Sequence, residues 1–501
     1  MKDSNILMNP NELVKFLKKP ASEFTRKDLI NFMEEYEIEM VNFRYVAEDG
    51  KLKTLNFIIS SKEYLETILT NGERVDGSSL FSFIEAGSSD LYVIPRYKTA
   101  FVNPFSEVPA VDILCSFYDS DGKPLESAPE NILRKAHRKF KDVTGYTMKA
   151  LGELEYYVNS VKEEHFQASD QRGYHASRPF AKFEELRTEA LRLVAQAGGQ
   201  VKYGHSEVGN FTSETEMFEQ HEIEFLPTEV EDAVDQMVVA KWILRMLARE
   251  RGIEISFAPK ITVGKAGSGL HIHMLLEKDG KNIMNAKDGL SDTARKMIAG
   301  ILDVSDALTA FGNTIPTSYL RLVPHQEAPT NICWGDRNRS ALVRVPLGWK
   351  MEHNMIRDAN PQECTEEKPA NDKQTVEFRA PDGSADLYHL VAGLVVATLH
   401  GMEMDNALEK AEELYVDVNI FDEAHKDQLN KLEKLPASCH ESAERLEKKR
   451  GIFEKYGIFP KGTLDNFISK LKAYDDKKLS EKLYGKEEEI RQLVIKYIHT
   501  Q

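Results

Sequence analysis

Three short segments place ionisable residues two positions apart, the spacing that puts side chains on one face of a β-strand. Gly152-Glu-Leu-Glu-Tyr-Tyr-Val brings Glu153 and Glu155 together. Gly269-Leu-His-Ile-His-Met-Leu-Leu does the same for His271 and His273, and Thr375-Val-Glu-Phe-Arg-Ala for Glu377 and Arg379. Further acids stand in His205-Ser-Glu207-Val and Gln220-His-Glu222-Ile-Glu-Phe. Two carboxylates on one strand face repel unless a cation lies between them. Carboxylates joined by one or two imidazoles suit Mg2+ or Mn2+, which prefer oxygen and tolerate some nitrogen. Taken alone, an E-x-E pair fits a solvated strand face and an H-x-H pair fits a core or surface pair. Their combination in apolar-flanked strands leaves a divalent-metal centre and a structural arrangement as the two readings.

Basic groups complement these acids. Trp334-Gly-Asp-Arg337-Asn-Arg339-Ser-Ala-Leu-Val-Arg344 concentrates three arginines in eight residues. Tyr319-Leu-Arg321-Leu-Val-Pro-His-Gln-Glu327 is a loop-like run with one Arg and one Glu. Guanidinium groups bind phosphate and carboxylate bidentately, so the cluster reads as a phosphate pocket or as a surface salt-bridge network. There is no G-x-x-x-x-G-K-[ST] segment, so any use of ATP is not of the P-loop type. Gly264-Lys-Ala-Gly267-Ser-Gly269 is glycine-rich, a feature that by itself marks only a turn.

The elements that must carry these residues follow from periodicity. Residues 1–24 read as a polar, Lys-rich helical lead-in. Val41 to Tyr118 is strand-like, with Glu48-Asp-Gly-Lys as a hairpin turn and a helix from Ser61 to Leu69, giving a small α+β unit over residues 25–120. Asp119-Ser-Asp-Gly-Lys-Pro is the expected boundary. Beyond it, residues 121–501 read as one large unit of alternating strands and helices, with a helical region from about 425 to 501. Capping boxes are expected at Ser127/Glu130, Thr228/Glu231 and Ser438/Glu441. Val230, Ala233, Val234, Met237, Ala240 and Leu244 form an apolar stripe on the second of these helices, which ends at Gly252.

Composition removes several classes of function. With 501 residues, 65 Lys+Arg and 81 Asp+Glu, the formal charge is −16, which argues against a general nucleic-acid binder or a basic membrane-surface protein. The first residues lack the apolar run of a signal peptide, and the most apolar stretch, between His389 and His400, is too short for a bilayer span. Cys115, Cys333, Cys364 and Cys439 are far apart and form no C-x-x-C pair. Reduced thiols and a cytoplasmic location are the expectation.

Taken in order, Asp76-Gly-Ser-Ser79, Gly152-Glu-Leu-Glu, His205-Ser-Glu-Val, Gln220-His-Glu-Ile, Pro259-Lys, Gly267-Ser-Gly-Leu-His-Ile-His, Arg321-Leu-Val-Pro, Glu327-Ala-Pro, Arg337-Asn-Arg-Ser and Glu377-Phe-Arg-Ala-Pro-Asp resemble glutamine synthetase of type I. Leu435-Pro-Ala-Ser resembles that family's C-terminal helical segment, and the resemblance runs from about Val41 to about Phe453. It implies an α+β fold: an N-terminal β-grasp domain, a catalytic domain with a curved antiparallel sheet and flanking helices, and a C-terminal helical segment. The implied reaction is ATP-dependent ligation of ammonium to L-glutamate through γ-glutamyl phosphate, with two or more Mg2+ or Mn2+ ions.

Carried across by position, the resemblance implies one metal on Glu155, Glu207 and Glu222 and a second on Glu153, His271 and Glu377. Arg321 and Arg379 would bind glutamate's carboxylates, with the Gly267 backbone near its amino group. Arg339 and Arg344 would steady the phosphoryl group, and His273 would touch the nucleotide phosphates. Asp76, Ser79, Tyr174 and Glu327 would form the ammonium pocket, with Asp76 reaching a neighbour's site in a ring-type homo-oligomer of two stacked hexamers. The rival readings are a γ-glutamyl ligase for a larger amine such as a polyamine, and a catalytically inactive structural relative. Departures from the pattern are a longer Gly209–Glu219 segment, Ala266 where most members have Asn, and Ala385-Asp-Leu-Tyr388 in place of Ala-Asn-Pro-Tyr. Phe421 stands where members controlled by adenylylation carry the modified Tyr, so no such control is expected.

Overall fold

A computed structural model of the chain describes residues 6–82, 84, 89–287, 289–323, 328–348, 354–363, 373–418 and 431–500. Glu327, Cys364 and Phe421 lie outside them. α1 (Glu12–Leu17) is capped by Asn11, whose side chain accepts from the Val14 N–H. α2 (Arg26–Glu35) starts with a reciprocal capping box between Thr25 and Asp28.

The first sheet is built from β1 (Met40–Val46), β2 (Leu52–Ile58), β3 (Glu73–Asp76), β4 (Asp90–Pro95) and β5 (Ala110–Tyr118), with α3 (Lys62–Asn71) crossing between β2 and β3. The order is β2-β1-β5-β4-β3, and only β1 and β5 run parallel along this path. α2 and α3 bury Leu29, Phe32, Leu65 and Leu69 against Phe43, Val93 and Val111 of the strands. Such a helix packed on a mixed sheet is the β-grasp arrangement. Inside it, the buried Asp112 carboxylate accepts from Asn42 Nδ2 (2.6 Å) and Arg44 Nε (2.7 Å), so the acid is fully engaged.

The second part contains α4 (Pro129–Thr144), β6 (Thr147–Val161), α5 (Glu184–Gln196), β7 (Val201–Thr212), β8 (Glu216–Phe225), α6 (Val230–Arg251), β9 (Leu270–Lys278), α7 (Asp292–Gly312), β10 (Trp334–Asp336), β11 (Val343–Val345), β12 (Val376–Phe378), α8 (Leu387–Glu403), α9 (Cys439–Glu454) and α10 (Lys461–Lys472). The main path of its sheet runs β10-β11-β12-β9-β6-β8-β7. Its neighbours are antiparallel except β10 and β11, which are parallel, so the expected antiparallel sheet is mixed at that end. Alternation along β6 sends Leu154, Tyr156 and Val158 to the helical layer and Glu153 and Glu155 to the other face. The helical layer comes very close at Gly152, where a Cβ would lie 2.3 Å from Met237 Sδ of α6, so no side chain fits.

The apolar stripe of α6 is buried as expected, and Gly252 ends the helix in the left-handed region (φ 65°). None of the three expected capping boxes closes on both sides; at the third, Glu441 Oε2 accepts from the Ala437 N–H (3.0 Å) and not from Ser438. Thr228 pairs with Ala150 of β6 instead of capping α6, and Glu231 turns to His137, with Oε2 2.8 Å from Nδ1. At α4 the cap position is Ala128, and the Glu130 carboxylate accepts from the Phe117 N–H (2.8 Å) across to the first sheet. Ser438 does cap α9, accepting from the Glu441 N–H (3.1 Å). The apolar stretch between His389 and His400 is part of α8, a core helix buried on nearly every side, and Asp386 caps its start. Among the described residues no single helix is long and apolar enough to cross a membrane.

The two sheets are joined by polar contacts as well as by packing. Arg96, just after β4, donates from both terminal nitrogens to Asp235 of α6 (2.6 and 3.0 Å). Tyr388 Oη of α8 donates to the same carboxylate (2.6 Å).

Candidate active site

Cross-strand register assembles the singled-out residues into one row. His205 of β7 faces Glu222 of β8, and Glu222 faces Glu155 of β6. Two residues along β6, Glu153 faces His271 of β9. Two residues along β9, His273 faces Glu377 of β12, and Glu377 faces Arg344 of β11. Each step of two keeps the same sheet face, so six strands contribute to a single polar surface. Glu222, Glu377, His273 and Arg379 are buried, an arrangement that charges adopt only when paired or bound to a cation.

At one end, ligand atoms of Glu153, His273 and Glu377 lie within 4.8 Å of one another. Glu153 bridges both imidazoles, with Oε2 2.8 Å from His271 Nδ1 and Oε1 2.8 Å from His273 Nε2. His271 Nδ1 is also 3.5 Å from Glu377 Oε1. Glu377 in turn accepts from Arg344 (2.9 Å) and Arg379 (3.1 Å). Burial works to raise the Glu153 carboxyl, but the His273 and His271 imidazoles hold it well below the usual carboxylate range. Burial also works against the His273 imidazolium, yet the Glu153 carboxylate raises that group above its ordinary value.

At the other end, His205, Glu207 and Glu222 form a second set with ligand atoms within 4.8 Å. Here the acids repel. Burial, then the neighbouring Glu155, pushes the Glu207 carboxyl up to about 7. Burial and the Glu153, Glu155 and Glu207 carboxylates raise Glu222 well above its usual range. Burial lowers the His205 imidazole, favouring the neutral form that binds metals. Crowded acids with depressed pairing are what a divalent cation relieves, and the oxygen-rich donor sets fit one.

The grouping differs from the expected triads in two respects. His205 joins Glu207 and Glu222, whereas Glu155 Oε2 accepts from the Gly269 N–H (2.7 Å) and from Gln220 Nε2 (3.1 Å). His273 meets Glu153 as closely as His271 does. The i, i+2 rule that singled out the other pairs applies equally to His205 and Glu207, and would have found His205. Strand periodicity gives no reason to single out Gln220. Its amide donates to Gly267 O (3.0 Å) and Ser268 Oγ (3.2 Å) as well, and its oxygen accepts from the Gly209 N–H (3.1 Å), tying the glycine-rich loop to β8. Tyr157 Oη adds a bond to Ala266 O (2.8 Å), so the loop is held on both sides.

The remaining residues are placed as follows. Arg321 is buried at the end of a helical turn, Ser318–Arg321, and donates to Ala380 O (2.8 Å) and Pro381 O (3.2 Å). Gly269 lets it approach the row, since a Cβ there would stand 2.5 Å from Arg321 Nη2 and 2.8 Å from His271 Nε2. Arg379 also donates to the Arg339 carbonyl. Tyr174 is half-exposed, with its ring 5.4 Å from that of His205. The Gly209–Glu219 departure extends the β7–β8 hairpin beyond a register shift between Ser206 and Asn210, with Asn210, Phe211 and Thr212 opposite Glu219, Phe218 and Met217. Asp76 is exposed and accepts from Ser78 Oγ (2.7 Å) and Ser79 Oγ (2.6 Å). These hydroxyls, with Ser89, hold its carboxyl far below the usual range. None of its hydrogen-bond partners among the described residues belongs to the row.

Residues 126–489 match the family model of the glutamine synthetase catalytic domain, and residues 37–120 match that of the glutamine synthetase β-grasp domain. The glutamine synthetase of Clostridium saccharobutylicum is 30% identical over 435 residues, covering 85% of this chain and 90% of the relative. That of Pyrococcus furiosus is 32% identical over 427 residues, covering 84% and 87%. Among solved structures, the cryo-EM structure of Plasmodium falciparum glutamine synthetase superposes with a TM-score of 0.74 at 19% identity, covering 92% of this chain and 98% of that one. A GmaS/ADP complex gives 0.71 at 18% identity, covering 90% and 96%. Matched across both its sheets by family models and along most of its length by relatives, the chain belongs to the glutamine synthetase family, a family of ligases.

Proposed function

We propose that the protein uses ATP to join ammonia to the side-chain carboxylate of L-glutamate, giving L-glutamine. The observation that carries this reading is the buried row from His205 to Arg344, with two oxygen-rich donor sets on one sheet face and arginines at its end. Glu207 and Glu222, with His205 and Glu155 beside them, would hold one Mg2+ or Mn2+ ion. Glu153, Glu377 and a histidine of the pair His271/His273 would hold another. Bound there, such ions supply neutralisation of phosphate and carboxylate charge, which is most of what phosphoryl transfer needs.

The chain's own residues are assigned the following work. Arg321 and Arg379 orient glutamate's carboxylates, and the Gly267 backbone lies near its amino group. Arg339 and Arg344 steady the phosphoryl group in transfer, and His273 contacts nucleotide phosphates. A glutamate γ-carboxylate oxygen attacks the terminal phosphorus of ATP and ADP leaves. Ammonia then attacks the acyl carbon, and phosphate departs carrying that oxygen. Ammonium must first lose a proton, a task for the Asp76 carboxylate in a pocket with Ser79, Tyr174 and Glu327.

Asp76 is exposed, and its hydrogen-bond partners among the described residues are Ser78, Ser79 and Ser89 of its own loop, which supports its serving the site of a neighbouring chain. The assembly we infer is a ring-type homo-oligomer of two stacked hexamers, in the cytoplasm. Residues 25–120 would supply Asp76 and residues 121–501 the row. The test is a substrate panel of glutamate and ATP with ammonium, methylamine or putrescine. Glutamine formation should exceed the other products by at least ~10-fold in kcat/KM, about 1.4 kcal/mol of discrimination. Putrescine outcompeting ammonium would replace this acceptor with a polyamine.

A further inference from the structure

A cavity of roughly 430 Å³ lies between the first sheet and the helical layer, away from the row of acids and imidazoles. Its apolar walls include Val46 and Leu52 from the β1–β2 hairpin, Val238 and Trp242 from α6, and Leu387 from α8. That size and lining are those of a site for a small organic molecule. The polar groups are what set it apart. Lys241, Arg245 and Arg249 recur at every fourth residue of α6, on one helix face, and all three line the cavity together with Lys51 of the hairpin.

Like charges stacked this way repel, so an anion beside the stripe is favoured. Lys241 is 4% exposed; its Nζ donates to Gly383 O (2.8 Å), faces the Phe257 ring at 5.0 Å and lies within the field of the Asp382 and Asp386 carboxylates. Burial and the neighbouring Arg245 push Lys241 well below its ordinary range. Arg245 donates to Thr500 O (2.7 Å), and the side chains of Lys51 and Arg249 have no hydrogen-bond or ion-pair partner among the described residues. The two acids on the cavity wall each have a histidine partner, and Asp386 also acts on Lys241. Asp386 lies 2.9 Å from His389 Nδ1 and caps α8, and Glu254 lies 3.3 Å from His499 Nε2.

We propose that this cavity binds a small amphipathic anion, a molecule with a flat apolar body and one carboxylate or phosphate head, its head on the α6 cationic stripe and its body against Trp242. Such a ligand would touch β1, β2, α6 and α8 at once and tie the two sheets together.

Trp242, one of three tryptophans in the chain, reports on the site. The full-length protein is titrated with phenyl phosphate, phenylacetate, phenol and inorganic phosphate, by calorimetry and by tryptophan fluorescence. At least one of the two aromatic anions is expected to bind saturably, and its fluorescence change should vanish in Trp242→Phe. Phenol and inorganic phosphate should bind at least ~10-fold more weakly, because each lacks half of the recognition. Whichever of the two anions binds more tightly identifies the head group. Arg249→Glu should weaken the anion by about ten-fold with an unchanged far-UV CD spectrum, and Lys51→Glu on the exposed hairpin provides the same test should the first variant misfold. Phenol binding as tightly as the anions, an unchanged signal in Trp242→Phe, or indifference to both charge reversals would overturn the proposal.

Discussion

Glu153 and His271 face each other directly across β6 and β9, with Glu153 Oε2 2.8 Å from His271 Nδ1. The same carboxylate reaches His273 with its other oxygen, so one acid orients both imidazoles. Replacing His271 by Ala removes a nitrogen proposed to bind the metal and frees Glu153 on one side, while the backbone pairing is untouched. The expected result is a fall in kcat/KM of at least ~100-fold, about 2.7 kcal/mol, with normal circular dichroism. Wild-type turnover by purified His271→Ala at moderate Mg2+ would contradict the ligand assignment.

The acids at the other end predict how metal binding depends on pH. A free glutamate carboxyl ionises near ~4.3, whereas Glu207 is pushed up to about 7 by burial and Glu155. Raised in the fold, this group makes the metal-free protein less stable as pH climbs from the unfolded value to about 7, because ionising it in place is unfavourable. A divalent cation reverses that penalty and competes with the proton below pH 7. Mn2+ should therefore raise Tm more at pH 8 than at pH 6 in a thermal-shift measurement, and Glu207→Gln should flatten the difference. Equal increments at both pH values in the wild type would remove Glu207 from the site.

The joint between the two sheets depends on a buried ion pair. Asp235 accepts two hydrogen bonds from Arg96 and one from Tyr388. Asp235→Ala would leave Arg96 buried without its carboxylate, and breaking such a pair costs about 3–5 kcal/mol. Chemical denaturation should show a loss of that order. A loss below ~1 kcal/mol would mean that water or another acid replaces Asp235.

Local periodicity made the strand-borne pairs readable, because side chains two apart on a strand share a face whatever the strand pairs with. Glu153/Glu155, His271/His273 and Glu377/Arg379 needed nothing more. Register is a long-range property, so periodicity did not reveal that Glu155 would be engaged by Gly269 and Gln220 while His205 joined Glu207 and Glu222. Caps failed for a related reason. Thr228 and Glu231 have the right spacing for a box, but β6 and His137 offer each a better partner once the chain is folded.

Assembly carries its own prediction. Asp76→Ala and Glu377→Ala should each be inactive, yet some activity should return when the two are mixed during assembly. Mixed rings then contain interfaces where an intact Asp76 meets an intact Glu377. No recovery in oligomers shown to be mixed would place the whole site within one chain.

The central claim is that the row of acids and imidazoles activates a glutamate carboxylate by phosphorylation. Glutamate labelled with 18O in its γ-carboxylate, incubated with ATP, ammonium and Mg2+, tests it most directly by mass spectrometry of the products. One labelled oxygen should appear in inorganic phosphate for each glutamine formed, and none should appear in ADP. Glutamine formed without label in phosphate, or ATP consumed without glutamine, would contradict the account.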